Sequence, residues 1–353
     1  MNHFEITTVR LINQQLTAPT FTDPVKLVSY MGAVQAQDYA ASKWALGLRI
    51  KNSSDASIEK AINDGKIIRT HILRPTWHYV AAADIKWMLK LSAPRVNAFN
   101  ASMYRKHGLD DAIFQKTNKV LIKTLQGNKQ LTRNEIAEAL QQAKIATDEL
   151  RLILLLMHAE LDGIICNGIK QEKQFTYALL DERVPKNLTI KGDEALAELA
   201  KKYFISRGPA TIQDFVWWSG LNSSDAKKAI DIIRPILISE IIDTKTYWMK
   251  KEIQPVNEKL PSLQLLPAFD EYTIAYKDRG AALDPKYRKQ TGNGIFNPQL
   301  IIDGKVAGTW KRTLKKEKVS VEINPFIKLN KMQQTTIDKE IGRYADFLGL
   351  VVF

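Results

Sequence analysis

Two glutamines separated by one alanine, Gln35-Ala36-Gln37, are the residues whose type and spacing most need a chemical explanation. A glutamine amide is neither acid nor base near neutrality, yet it donates and accepts hydrogen bonds at once. Such a pair can orient a water molecule or grip the edge of a nucleobase; the plain alternative is a polar helix end. Other reactive constellations do not present themselves. The five histidines are scattered with no pair at ligand spacing, so no metal and no cofactor is expected. His71 and His78 could face each other on adjoining strands, where ring packing or phosphate contact explains them better than zinc. The sequence has no GxxxxGK loop, no GxGxxG and no GxSxG. Cys166, the single cysteine, lies in Gly163-Ile164-Ile165-Cys166 and reads as a buried, inert thiol.

The elements that must position the glutamines follow from capping and periodicity. A first helix is expected over about 7–16. Asp23 and Pro24 then open a second, as cap and first-turn residue. Val25, Val28 and Met31, with Leu27 and Val34, make its inward stripe, and Gln35 continues it. Residues two apart on a helix point about 200° from each other. Gln35 and Gln37 can therefore serve one site only if the helix ends between them. Asp38-Tyr39, ahead of a third helix from Ala41 or Ser42, offers that break. A short helix over 57–64, a strand over 67–73, a turn at Arg74-Pro75 and a returning strand over 76–80 complete the outline of a winged helix.

The outline recurs. Thr132 and Glu135 form a capping box; a helix over 148–162 follows, with Leu150, Ile153, Leu154, Met157 and Leu161 at helical spacing. A ribbon over 164–166 and 175–177, turned at 170–173, closes that unit. Val184-Pro185-Lys186-Asn187 reads as a linker. A third unit has a helix over 194–204, a helix capped by Thr211 with Asp214 and ending near Gly220, and another capped by Ser223 or Ser224. Its ribbon pairs 236–238 with 247–249. Strands dominate from Leu263, and Asp303-Gly304 between apolar runs suits a type I′ hairpin turn. A strand over 318–323 and a helix over 331–347 end the chain. The expected fold is α+β: three tandem winged-helix modules over 1–110, 111–185 and 190–253, then a β-rich, barrel-like or curled unit over 254–353 supporting the third.

The chain has 353 residues, and 51 Lys plus Arg against 38 Asp plus Glu give a net charge of +13 and a pI near 9.5. That excess points to a polyanion, nucleic acid before membrane. No apolar run approaches the roughly 20 residues of a membrane span, and no signal peptide is evident, so a cytoplasmic setting is expected. Arg69, Arg74, Arg95, Arg105 and Lys106 are basic candidates in the first module; Lys311, Arg312, Lys315, Lys316 and Lys318 cluster after the last hairpin. Singly each reads as a solvated charge; as a set they suit phosphates, because duplex binding needs several cations together. Trp217 and Trp218, adjacent on a helix, cannot share a face, so one belongs in the core and the other half outside.

Several segments in order resemble the winged-helix alkylpurine DNA glycosylases, the AlkZ-like family. Gln35-Ala36-Gln37 matches its glutamine–apolar–glutamine motif. Arg74-Pro75-Thr76-Trp77-His78, Arg207-Gly208-Pro209-Ala210-Thr211 with Asp214-Phe215 and Trp218-Ser219-Gly220-Leu221, Leu265-Leu266-Pro267-Ala268-Phe269-Asp270 with Asp278-Arg279, and 304–310 complete the pattern. The resemblance implies a C-shaped arrangement of the modules around double-stranded DNA. It implies hydrolysis of the N-glycosidic bond of N7-alkylated purines, as monoadducts or interstrand crosslinks, by a monomer working at the nucleoid. Gln35 and Gln37 inherit the catalytic positions. A sister group carries aspartate at the second glutamine; Asp38 lies one residue beyond it and is not its counterpart. Arg69, Arg74 and His78 are then expected along the DNA channel, and the Asp303-Gly304 hairpin against a groove, with Lys305, Lys311 and Arg312 near phosphates. Asp270 and Arg279 are expected as a structural pair, with Trp310 in support. N7 alkylation makes the purine a cationic leaving group, so neutral amides that place water are sufficient chemistry. The rival readings are a DNA-binding regulator and a family member without catalysis, since fold does not fix function.

Overall fold

The computed structural model describes residues 3–172, 174–184, 189–252 and 262–353. Most of the expected linker over 184–187, and Lys173 of the expected turn, lie outside the described residues. The chain opens with α1 (His3–Asn13) and α2 (Pro24–Met31). Asp23 accepts the Val25 N–H, and Pro24 fills the first turn of α2. The helix does not run on to Gln35. Gly32, at φ 76, ends it, and Ala33–Gln35 form a short strand, β1. Asp38 caps α3 (Tyr39–Gly47) through the Ala41 N–H. Then come α4 (Asp55–Asn63), β2 (Ile67–Ile72) and β3 (Arg74–Ala81). Leu73, at φ 63, makes the turn, so β3 begins at Arg74 instead of after it. The sheet is antiparallel in the order β1-β3-β2.

Two long helices go beyond the sequence expectation: α5 (Ile85–Lys106) and α6 (Asp111–Leu125). Pro94 lies inside α5, where a proline ordinarily signals a stop. Ala93 and Val96 on either side of it are buried against Met157 and Leu161, so packing carries the helix through. The second unit has β4 (Leu131–Thr132), α7 (Arg133–Gln142), α8 (Glu149–Leu161), β5 (Ile165–Asn167) and β6 (Thr176–Leu179). The Thr132/Glu135 capping box forms. In α8 the buried side chains include Leu152, Leu155 and Ala159, whereas Leu150 and Ile153 of the expected stripe are exposed. Apolar residues on several sides of α8 left its buried face unspecified by spacing alone.

After α9 (Leu180–Arg183), the third unit has α10 (Gly192–Arg207), α11 (Ile212–Ser219), α12 (Ser223–Ile233), β7 (Leu237–Ile242) and β8 (Lys245–Lys250). The Thr211/Asp214 box opens α11 and left-handed Gly220 closes it; Asn222, not a serine, caps α12. One order recurs in all three units: a short strand, two helices, a two-stranded ribbon. The short strand pairs each time with the ribbon's second strand, as β1–β3, β4–β6 and, in the third unit, a bridge between Ala210 and Trp248.

The last part holds β9 (Leu263–Leu266), α13 (Glu271–Ile274), α14 (Gly292–Ile295), β10 (Gln299–Ile302), β11 (Lys305–Lys315), β12 (Lys318–Pro325), α15 (Lys331–Leu348) and β13 (Val351–Val352). Five strands in the order β13-β12-β11-β10-β9 make an open sheet. Asp303 at φ 47 and Gly304 at φ 76 give the hairpin its left-handed turn. The sheet backs the first unit and not the third. Leu265, Leu300, Trp310 and Val319 share one core with Leu27, Val34 and Trp44. Trp44 Nε1–H donates to the Leu265 carbonyl at 2.8 Å, and Trp310 Nε1–H to that of Leu266 at 2.7 Å. Three short strands cannot cover the apolar sides of α2 and α3, and the larger sheet does. The segment beginning with α13 reaches the third unit, where Ala275 and Tyr276 are buried with Tyr203, Phe215 and Trp218.

Candidate active site

Gln35 lies opposite His78 in the β1–β3 ladder. The Ala36 N–H donates to the Trp77 carbonyl at 2.7 Å. Ladder alternation then makes Gln35 and His78 a non-hydrogen-bonded pair, with side chains close together on one face. The Gln35 N–H points away from β3, and Glu271 Oε1 accepts it at 2.9 Å. The strand thus replaces the helix end expected from the stripe. β1 ends at Gln35, and Gln37 follows in a bend just ahead of α3.

The third unit shows what is unusual in the first. Ala210 and Trp248 exchange both backbone hydrogen bonds, at 3.0 and 2.8 Å. In the first unit only the Ala36 N–H bond survives. The Ala36 carbonyl instead accepts Arg69 Nε–H at 3.1 Å, and the Trp77 N–H donates to Gln37 Oε1 at 3.4 Å. A side-chain amide stands where a ladder carbonyl would be. Gln37 occupies the step between Ala36 and the helix cap Asp38, a step absent in the third unit, where Ala210 adjoins its cap Thr211.

Gln35 is buried and Gln37 exposed. Arg74 Nη2 lies 3.5 Å from Gln35 Oε1; a guanidinium only donates, so the amide oxygen faces it. Both glutamine oxygens are therefore turned toward donors of β3. Among the described residues no protein acceptor takes either amide NH2. His78 is wholly buried. Its Nδ1–H donates to the Thr76 carbonyl at 2.9 Å, leaving Nε2 a bare acceptor without a partner among the described residues. Burial, with Arg74 adding to it, holds the imidazole far below its ordinary range, so His78 is neutral at working pH.

Behind this face lies a buried charge network. Glu271 Oε2 accepts Arg207 Nε–H at 2.9 Å, Arg207 Nη2–H at 2.7 Å and Trp218 Nε1–H at 3.1 Å. Arg207 also donates to the carbonyls of Met31 and Ala33, at 2.7 and 2.6 Å. One ion pair thereby ties α10 and α13 to both ends of the α2–β1 connection. Asp270 does not pair with Arg279 as the motif suggested. Arg49 takes it bidentately, at 2.8 and 2.7 Å, both residues being buried; the straight fork of Arg49 reaches from the end of α3 to the cap of α13. Arg279 instead donates Nε–H to the Thr273 carbonyl at 2.9 Å.

The sheet divides the remaining basic candidates. Arg74 and His78 share the face of Gln35, whereas alternation puts Arg69 on the other. Arg69 is buried, donating to Asn167 Oδ1 at 3.0 Å and lying 4.2 Å from the Trp77 ring. Lys305, Lys311 and Arg312 lie along β11; Lys305 Nζ reaches the Ala281 carbonyl at 2.5 Å, and Arg312 contacts the Tyr344 hydroxyl. Trp310 is a core residue. Trp218 is buried and Trp217 39% exposed, the division their adjacency required. Cys166 is buried, and burial pushes its thiol up to about 12. Glu271, Arg207 and Arg49 had no assigned role in the sequence. The only signal was an acidic Asp270-Glu271 pair inside an apolar run, which calls for buried cations without saying which.

A family model described as DNA glycosylase AlkZ-like matches residues 28–347. An interstrand DNA cross-link repair glycosylase of Streptomyces sahachiroi is 24% identical over 351 residues, covering 95% of this chain and 92% of the relative. The solved structure of Streptomyces sahachiroi DNA glycosylase AlkZ is similar in fold, with a TM-score of 0.81 at 20% identity. That likeness covers 100% of this chain and 99% of that one. The chain therefore belongs to the AlkZ-like family of DNA glycosylases, which hydrolyse N-glycosyl bonds.

Proposed function

We propose that this glycosylase acts on cationic N7-alkylated purines in duplex DNA, and that Gln35 and Gln37 position the attacking water. The three strand–helix–helix–ribbon units are read as winged helices arranged around the duplex. The observation that carries the proposal is the state of the carboxylate bonded to Gln35. Glu271 accepts four hydrogen bonds, from Gln35 N–H, two Arg207 nitrogens and Trp218, and faces a buried arginine. Both oxygens of this carboxylate are thus occupied by donors, and His78 Nε2 is buried. Asp38, next to Gln37, is engaged as the cap of α3 through the Ala41 N–H, and the two amides are the polar groups of this motif turned toward β3. They can accept hydrogen bonds from a water and donate one to a neighbouring oxygen, but cannot deprotonate it. Such a site suits a base that departs readily because it is already charged. The name of the Streptomyces relative extends the expected substrates to interstrand crosslinks.

The test is single-turnover excision from duplex containing N7-methylguanine, with EDTA present, scoring abasic sites and free base. A Gln35→Ala, Gln37→Ala double variant is expected to lose about 10²–10³-fold in rate, the size seen when positioned polar groups are removed from an active site. Wild-type rates in that variant would end the proposal.

A further inference from the structure

Beside Gln35 lies a cluster that the catalytic reading does not use. The indole of Trp217 is 39% exposed, and its Nε1–H donates to the Ile274 carbonyl at 2.9 Å, which fixes the ring's orientation. Two guanidinium carbons approach this ring, Arg74 at 5.9 Å and Arg279 at 5.7 Å from its centroid. They come from different parts of the chain, the start of β3 and the segment after α13. Both side chains are part-buried, yet among the described residues neither has a carboxylate partner. Arg74 contacts Gln35 Oε1 and Arg279 the Thr273 carbonyl; Arg74 Nε and Arg279 Nη2 are buried with no hydrogen-bond partner among the described residues.

The acidic groups near them are bonded elsewhere; Asp278 pairs with Lys245 at 2.5 Å and accepts the Gly280 N–H. Glu271 is held by Arg207 and Trp218. Asp214 accepts the backbone N–H groups of Thr211, Lys277 and Asp278 and lies 4.0 Å from Arg10. Arg288 adds further positive charge near Arg279. Burial first, and then Arg74, lowers the Arg279 guanidinium from its ordinary range, a sign that the two cations repel each other in the free protein. Two guanidiniums with no bonded carboxylate among the described residues, each with a buried, unused donor and both near one fixed aromatic ring, cost stability unless an anion joins them.

We infer that Arg74, Arg279 and Trp217 form a clamp for one phosphodiester of the lesion strand, the two arginines taking its non-bridging oxygens and the indole face packing on the adjoining nucleotide. A phosphodiester offers acceptors in the geometry that guanidinium forks match, and an aromatic face stacks on any base. Because Arg74 also contacts Gln35, the clamp fixes the strand next to the amide that faces the reacting sugar. These are positioning residues for the reaction. The inference rests on the catalytic reading for its orientation but concerns binding, and is measured without excision.

The probe is a duplex containing a tetrahydrofuran abasic-site analogue, with single phosphodiesters replaced in turn by neutral methylphosphonates, and binding followed by fluorescence anisotropy. Wild-type protein is expected to lose about 10–100-fold in affinity at one phosphate near the analogue, the range for a hydrogen bond to a charged group. In Arg279→Gln the unmodified duplex binds more weakly by a similar factor, and the same methylphosphonate then adds no further loss. The slope of log affinity against log salt falls by about one unit in the variant. DNA should also quench tryptophan emission in wild-type protein, and less in Trp217→Phe. Equal penalties at every phosphate in wild-type protein, or an undiminished penalty in Arg279→Gln, would overturn the clamp. Should Arg279→Gln not fold, the wild-type methylphosphonate scan and the Trp217→Phe emission decide alone. Failure of the glutamine mechanism would appear separately, as unchanged excision in the double glutamine variant.

Discussion

Replacing Glu271 with glutamine removes one charge and almost no volume, so its effect reports the buried network directly. In the wild-type protein this carboxylate meets four donors at 2.7–3.1 Å, and both it and Arg207 are fully buried. A glutamine keeps one acceptor oxygen and turns an NH2 group toward donors, so at least one of them loses its partner. Arg207 would keep the carbonyls of Met31 and Ala33 but no anion. Breaking a buried pair from one side costs about 3–5 kcal/mol, and a stranded Gln35 N–H falls within that sum at about 1–3 kcal/mol. The assay is urea unfolding followed by tryptophan emission, since Trp218 lies in the network. A second variant, Arg207→Met, and the double variant complete a cycle; the double should cost less than the two singles added, by about 0.5–3 kcal/mol. Excision per folded molecule should also fall in Glu271→Gln, because the Gln35 backbone loses its anchor. A Glu271→Gln protein within about 0.5 kcal/mol of wild type, or strictly additive singles, would refute the assignment of this pair as the brace behind β1.

Two further outcomes are expected. Gly220, at φ 71, faces the Leu73 carbonyl so closely that an added Cβ would overlap it. Gly220→Ala should therefore destabilise by more than the roughly 1–2 kcal/mol of a left-handed alanine and disturb Arg74, the next residue; Gly349→Ala, at φ 68 with open space around it, should show the backbone cost alone. Equal thermal shifts in the two would contradict this. The pH dependence of stability should carry a histidine contribution from His78, whose folded-state value lies below its unfolded value. Below about pH 6.5 the unfolded chain then binds a proton that the folded chain refuses, and stability falls with acidification by up to about 1.4 kcal/mol per pH unit. Above that pH the contribution is fully present. His78→Gln should flatten the profile between about pH 6.5 and 5, and parallel profiles would show that the buried imidazole titrates normally.

Local chemistry was legible in the sequence, and long-range pairing was not. The caps at Asp23, Thr132 and Thr211, the stop at Gly220 and the Asp303-Gly304 turn each depend on neighbours within four residues, and each forms as read. β1 is a different case. Three residues are too few to show a period of two, so Val34 and Gln35 extended the stripe of α2 on paper. Their strand exists only because β3, more than 40 residues later, pairs with it. The same limit explains Asp270. Its sequence neighbours offered Arg279, while its partner Arg49 lies 221 residues away. The triple recurrence of units could be read from element order, yet the feature that distinguishes the first of them is a single diverted hydrogen bond at Trp77.

The brace between Gln35 and Glu271 also has a timing. The glutamines are synthesised early, but the carboxylate that receives the Gln35 N–H is made 236 residues later, roughly 10–50 s at ordinary elongation rates. The same holds for the core, where Leu27, Val34 and Trp44 wait for Leu265, Leu300 and Trp310. A nascent chain halted before α13 thus carries both glutamines proposed for catalysis without the support that shapes them. On the proposed mechanism, stalled translation products of this protein should excise no base, because the amide pair gains its support only when the C-terminal sheet has been synthesised.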